Sequence, residues 1–165
     1  VTEKDYNEGV EAWSDDIYRF AVHCCGDTSL GQDAVQEAYT SLWQSRDKVS
    51  KEKGKSYLYR VAYHQLMSHF RHRQVTQKAE EDIVAVSSTS SEPNETFDLR
   101  EAMSRAMAQL PEVQRALLQL RDIEGYPFEE IGEMMNLSTQ QVHVYLFRAR
   151  ITMKKLLTAQ GYGNK

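Results

Sequence analysis

Residues Phe128 to Arg150, FEEIGEMMNLSTQQVHVYLFRAR, leave room for little besides two helices joined by a tight turn. Phe128, Ile131 and Met135 fall 3 and 4 residues apart on one apolar face, and Val142, Tyr145, Leu146 and Ala149 repeat helical spacing beyond the turn. Gly132 is small where two helix backbones have to approach closely. Asn136 stands in the turn, where Gly is more usual, because Asn tolerates a left-handed backbone at modest cost. Ser138 opens the second helix as an N-cap, and Gln141 three residues on completes a capping box. The pattern is a helix-turn-helix whose second helix is the one offered to a DNA major groove. An ordinary helical hairpin shares the spacing; the coincidence of small residue, turn residue and cap favours DNA binding.

Charge supports that choice locally. The run RARITMKK, Arg148 to Lys155, carries four cations and no acid, which suits phosphates beside the groove. The first helix is acidic (Glu129, Glu130, Glu133), so its outer face should point away from phosphates. The whole chain has a net charge of −4, which excludes a uniformly basic surface. Residues 46 to 73 hold 8 cations against 2 acids, whereas residues 75 to 100 hold 2 cations and 6 acids. Any nucleic-acid surface is therefore local, and unaided affinity for DNA should be weak.

The 165 residues suffice for one ordinary domain or two small ones, and 41 % apolar content argues against wholesale disorder. No apolar run approaches the ~20 residues that span a bilayer, so no membrane insertion is expected. The N-terminus, VTEKDYNEG, is polar and has no signal-peptide pattern; it also lacks a Met, consistent with removal of a few residues. Cys24 and Cys25 are adjacent, which argues against a disulfide framework and for a reducing, cytoplasmic setting. As two small side chains on a packed helix they need no redox role.

Along the chain, Tyr6 to Cys25 forms an amphipathic helix with Val10, Trp13, Ile17, Phe20 or Ala21, and Cys24 inward. Gly26 and Asp27 end it. Ser29 with Gln32 is a second capping-box signature, opening a helix to about Ser45 through Ala34, Val35, Ala38, Leu42 and Trp43, with Asp33, Gln36 and Glu37 on its other face. A lysine-rich loop follows, Arg46 to Ser56, with Lys48, Lys51, Lys53 and Lys55. The third helix, from about Ser56 to His72, turns Leu58, Val61 or Ala62, Leu66 and Phe70 inward. Tyr57, Tyr59, Arg60, His64, His69, Arg71 and His72 crowd its remaining surface, with Arg73 just beyond. Rings beside cations suit unstacked bases, the rings for stacking and the cations for the backbone; packing tyrosines beside a solvated lysine loop explain the pattern equally well. Val75 to Glu95 lacks a sustained apolar period and is acidic, then Ser-rich with Pro93, which marks a linker. Its ~20 residues reach roughly 70 Å when extended. From Phe97 the chain is helical again, through Leu99, Met103, Ala106 and Leu110, then Pro111 at a helix start and Val113, Leu117 and Leu120. Gly161 to Lys165 is expected to fray.

With these segments in order, the chain resembles an alternative bacterial sigma factor of the extracytoplasmic-function type. DAVQEAYTSLW (Asp33 to Trp43) and YLYRVAYHQLMSHFRHR (Tyr57 to Arg73) carry the likeness in the first half. LPEVQRALLQL (Leu110 to Leu120) and EGYPFEEIGEMMNLSTQQVHVYLFRAR (Glu124 to Arg150) carry it in the second. The resemblance implies an all-α chain of two small domains. A three-helix sigma domain 2 would span residues 1–74, a flexible linker 75–96, and a four-helix sigma domain 4 with the helix-turn-helix 97–165. It implies a factor that gives RNA polymerase its promoter specificity and catalyses nothing itself. Asp33, Gln36 and Glu37 would dock on the clamp coiled coil of core RNA polymerase. Lys48, Lys51, Lys53, Lys55, Tyr57, Tyr59, Arg60, His64, Arg71 and Arg73 would capture and open the minus-10 element. Ser138, Thr139, Gln140, Gln141, His143 and Arg148 would read minus-35 promoter DNA, the same domain touching the polymerase flap. An anti-sigma factor is implied as a further partner.

The chain departs from the family pattern at Tyr57, where Trp is usual, at His64 for Asn and at Ser68 for Asp. Gln141 and His143 replace a common Thr and Lys, and Pro127 stands where a Ser or Thr often caps. Asn and Gln suit adenine and Arg suits guanine, so these exchanges bear on the promoter sequence rather than on the role. Two other readings weigh less. A stand-alone helix-turn-helix regulator with a helical dimerisation domain fits the acidic net charge and the linker poorly. A metal enzyme on His64, His69 and His72 has no Cys or acid nearby on its helix to complete a ligand set. With no Ser-His-Asp order, phosphate loop or paired acids, the chain is expected to be a non-enzyme without cofactor or metal.

Overall fold

The computed structural model describes the backbone of residues 1–77 and 95–162, and the side chains of residues 1–72 and 98–162. All its regular structure is helical: α1 (Glu3–Cys25), α2 (Thr28–Gln44), a 3₁₀ turn (Lys51–Lys53), α3 (Gly54–Gln77), α4 (Glu95–Gln109), α5 (Glu112–Leu118) running into a π-helical turn (Gln119–Ile123), α6 (Phe128–Met135) and α7 (Thr139–Ala159). The body of the linker expected over residues 75–96, the side chain of Arg73 and the last residues of the expected tail lie outside the described residues.

Local chemistry sets the helix ends. Thr2 and Asp5 form a capping box on α1, and Gly26 closes that helix with a left-handed φ of 69°. The cap of α2 is Asp27 rather than Ser29: its carboxylate accepts from the Ser29 and Leu30 amides at 2.8 and 3.2 Å. A carboxylate at the positive end of the helix is the stronger acceptor, so the Ser-x-x-Gln signature is displaced by two residues. Gly31 sits where α2 crosses α1; a Cβ there would lie 2.6 Å from Val22 Cγ2.

The N-terminal core holds Ile17, Phe20, Ala21 and Cys24 of α1, Ala34, Ala38, Tyr39 and Leu42 of α2, and Leu58, Ala62 and Leu66 of α3. Val10 and Trp43, expected inward, are 37 % and 38 % exposed. Trp43 instead meets Tyr6 edge-on at 5.0 Å and carries the Arg46 guanidinium 4.2 Å above its ring. In the C-terminal half, Leu99 and Met103 are likewise exposed, because α4 packs through the smaller Ala102 and Ala106.

The two halves are in contact. α3 packs against α6, and α1 against α5 and the π-helical turn, so that one apolar core runs through both. This overturns the surface position expected for Tyr59, which is completely buried. Its ring packs on Phe20 at 5.2 Å and on Tyr126 at 5.6 Å, and its hydroxyl hydrogen-bonds that of Tyr126 at 3.0 Å. Arg115 ties the seam further, donating to the carbonyls of Cys24, Met107, Ala108 and Leu110, at and just beyond the C-terminal ends of α1 and α4.

Candidate nucleic-acid interface

The helix-turn-helix is built as its residues demand. Ile131, Met134 and Met135 of α6 and Val142, Leu146 and Ala149 of α7 are buried against one another and α5. Asn136 takes the left-handed conformation (φ 56°, ψ 47°) at the end of α6. Gly132 is required by the turn rather than by the second helix: a Cβ there would lie 2.6 Å from the Leu137 carbonyl oxygen. The Ser138 hydroxyl accepts from the Gln141 amide at 3.1 Å, and Gln141 Oε1 accepts from the Ser138 amide at 2.9 Å. Pro127 caps α6 with no side-chain hydrogen bond.

Ser138, Thr139, Gln140, Gln141, His143 and Arg148 are all exposed. His143 rests on the Phe128 ring, centroids 4.0 Å apart, which holds its imidazole over the start of α6. Of the cations of α7, Arg150 is committed to Asp122 through a two-pronged ion pair at 2.7 and 3.2 Å. A second outward stripe, Val144, Phe147 (65 % exposed) and Ile151, lies on the same helix. The 3-4 spacing of these three residues could have revealed the stripe, but the inward set at 142, 146 and 149 masked it.

The basic residues of the N-terminal half have different fates. Lys48, Arg60, His64 and Arg71 are exposed. Partial burial, then the nearby Arg60 and Arg71, push the His64 pKa down, so the ring tends to stay neutral. Tyr57 is half-buried, its hydroxyl donating to Ser45 Oγ at 3.2 Å. Lys51 pairs with Asp5 at 3.0 Å and Glu8 at 4.0 Å, and Lys53 pairs with Glu133 across the seam. Lys55 lies 4.5 Å above the Tyr126 ring. Three of the four loop lysines thus have partners inside the chain.

A groove of about 820 Å³ separates the halves beside this seam. Lys48, Lys53, Tyr57 and Arg60 line one wall; Glu133, Asn136, Ser138 and Thr139 line the other. Residues 90 positions apart in sequence therefore share one depression. Asp33, Gln36 and Glu37 are exposed on α2, and Glu37 borders a smaller hollow with Tyr57, Arg60 and His64. No helix among the described residues is long and apolar enough to cross a membrane.

Both halves of the chain have counterparts among known proteins. Residues 10–76 match the family model for sigma-70 region 2, and residues 100–153 match that for sigma-70 region 4. An extracytoplasmic-function RNA polymerase sigma factor of Bacillus subtilis, SigM, is 24 % identical over 91 % of this chain and 93 % of its own length. The sigma factor RpoE of Bartonella quintana, solved in complex with the anti-sigma factor NepR, superposes with a TM-score of 0.71 at 20 % identity, covering 94 % of this chain and 98 % of that one. CnrH, solved in complex with the cytosolic domain of CnrY, gives 0.69 at 17 % identity, covering 96 % and 90 %. Fold and matched regions together define a transcription initiation factor that directs RNA polymerase to promoters. The chain belongs to the sigma-70 family, in its extracytoplasmic-function branch.

Proposed function

We propose that this sigma factor divides its work between the two walls of the groove. The N-terminal unit (1–74) docks on core polymerase and opens the minus-10 element, residues 75–96 link it, and the C-terminal unit (97–165) reads the minus-35 element. The capped, outward-facing start of α7 is the observation that carries this reading. Its first turn exposes Ser138, Thr139, Gln140 and Gln141 together, where helix N-terminal residues meet base edges. Arg148 then serves the adjacent phosphates, and the exposed face of Asp33, Gln36 and Glu37 serves polymerase. Chemistry stays with the polymerase, in the cytoplasm, and an anti-sigma factor is the partner that would hold the chain inactive.

Opening falls to Lys48, Tyr57, Arg60, His64, Arg71 and Arg73, with Lys51, Lys53 and Lys55 holding the backbone once their internal partners let go. A base leaving the stack costs a few kcal/mol. A ring that receives it returns about 1–3 kcal/mol, and we assign that task to Tyr57, supported by its being only half-buried. Tyr59, buried in the seam, is not assigned this task. Elements centred roughly 25 base pairs apart lie about 85 Å apart along a duplex at 3.4 Å per pair. Reading both at once therefore requires the halves to separate. The test is Tyr57→Ala with core polymerase on two templates. The variant should transcribe poorly from duplex promoter and recover partly on a pre-opened bubble. Equal losses on both, with a lowered melting temperature, would reduce Tyr57 to a packing residue.

A further inference from the structure

The seam between the halves contains a carboxyl group that no hydrogen bond supports. Glu124 follows the π-helical turn, and its side chain is 7 % exposed. Neither carboxylate oxygen has a hydrogen-bond partner among the described residues. From α1 it faces Asp16, Arg19 and Cys24; from α3 it faces Lys55 and Tyr59; Tyr126 closes the cluster from its own segment. Arg19 Nε stands 3.8 Å from Oε1, too far for a hydrogen bond, because the same guanidinium is held by Asp16 at 2.6 Å. Lys55 lies over the Tyr126 ring instead. The groups that desolvate Glu124 from α1 and α3 all belong to the other half of the chain. Parting the halves would return it to water.

We propose that Glu124 is a proton-controlled latch: protonated, it stays in the seam and the halves remain closed; ionised, it favours their separation. Burial, opposed by Arg19 and Lys55 and assisted by Asp16, raises its pKa from 4.5 to about 7 in the closed chain. In the open chain the exposed carboxyl returns to the ordinary value. Closing therefore takes up a proton between these limits. The stabilisation of the closed form is complete below 4.5 and is lost as pH rises through about 7. Between pH 5.5 and 8 the closing constant should fall by about 30-fold. The Lys53–Glu133 bridge across the seam does not supply this response, because Lys53 holds the Glu133 pKa below its ordinary value.

Small-angle scattering from the free full-length chain reads the arrangement without DNA or polymerase, so the outcome is independent of the promoter-reading roles. The wild-type radius of gyration should rise from pH 5.5 to pH 8 with helicity by circular dichroism unchanged, and the yield of a zero-length Lys53–Glu133 cross-link, normalised to Glu124→Gln at each pH, should fall. Glu124→Gln, isosteric and always neutral, should stay compact at both. A wild-type radius that does not change overturns the latch. So does the same expansion in Glu124→Gln, which would assign the response to a group other than Glu124. If Glu124→Gln loses helicity, Glu124→Met takes its place: a radius that stays compact at both pH values supports the latch, and the wild-type expansion repeated in it overturns the latch.

Discussion

Replacing Gln141 by Glu separates the two tasks assigned to that side chain. Gln141 Oε1 accepts from the Ser138 amide, so the side chain helps cap α7 while its amide nitrogen remains available to a base. Glutamate keeps the acceptor and adds a negative charge to the first turn of α7, which stabilises a helix by about 0.3–1 kcal/mol. It removes the donor. Leaving the base acceptor without that donor costs about 1–3 kcal/mol, or about 5- to 140-fold in affinity for the preferred base. The variant should therefore melt at or above the parent temperature yet lose discrimination at one or two minus-35 positions. Gln141→Ala should lose both, melting lower and discriminating less. The assay is transcription by reconstituted holoenzyme from a library randomised across the minus-35 element, beside a thermal melt. An unchanged base profile for Gln141→Glu would refute direct reading by this residue.

Three further outcomes follow from the same geometry. Glu37→Lys, on the exposed face of α2, should weaken binding to core polymerase with helicity intact; unchanged retention in a pull-down would remove Glu37 from the docking face. Gly132→Ala places a Cβ 2.6 Å from a backbone oxygen that cannot swing aside. Overpacking of about 1–3 kcal/mol should exceed the helix-propensity gain of about 1 kcal/mol, and a melting temperature equal to or above the parent's would contradict the close approach. Arg115→Ala leaves the carbonyls of Cys24, Met107, Ala108 and Leu110 short of a donor, so it should destabilise the chain by about 2–4 kcal/mol in denaturant melts, whereas a loss under about 0.5 kcal/mol would show that water replaces it.

The helix-turn-helix was legible because every signal in it is local. Asn136, Ser138 and Gln141 satisfy backbone groups within a few residues, and the inward set of α7 repeats at helical spacing. What sequence reading misplaced depends on residues far away. Tyr59 looks like surface from α3 alone; it is buried because Phe20 of α1 packs on its ring and Tyr126, 67 residues on, closes over it. That double burial also blurs the apolar period of α3. Glu124 reads as an ordinary turn carboxylate until α1 and α3 close over it. Trp43 has the size of a core residue, yet it is 38 % exposed, set edge-on against Tyr6 with the Arg46 guanidinium over its ring. Of the ten residues read as the minus-10 face, the structure keeps Lys48, Arg60, His64 and Arg71 exposed and engages Lys51, Lys53, Lys55 and Tyr57 internally.

Mapping transcript starts made by purified core polymerase with and without this chain, on a pool of bacterial genomic fragments, bears most directly on promoter direction by two elements. Starts that depend on the chain should share two upstream motifs at a fixed separation. Randomising either motif should abolish them. Chain-dependent starts that are scattered, or that share one motif only, would contradict the account.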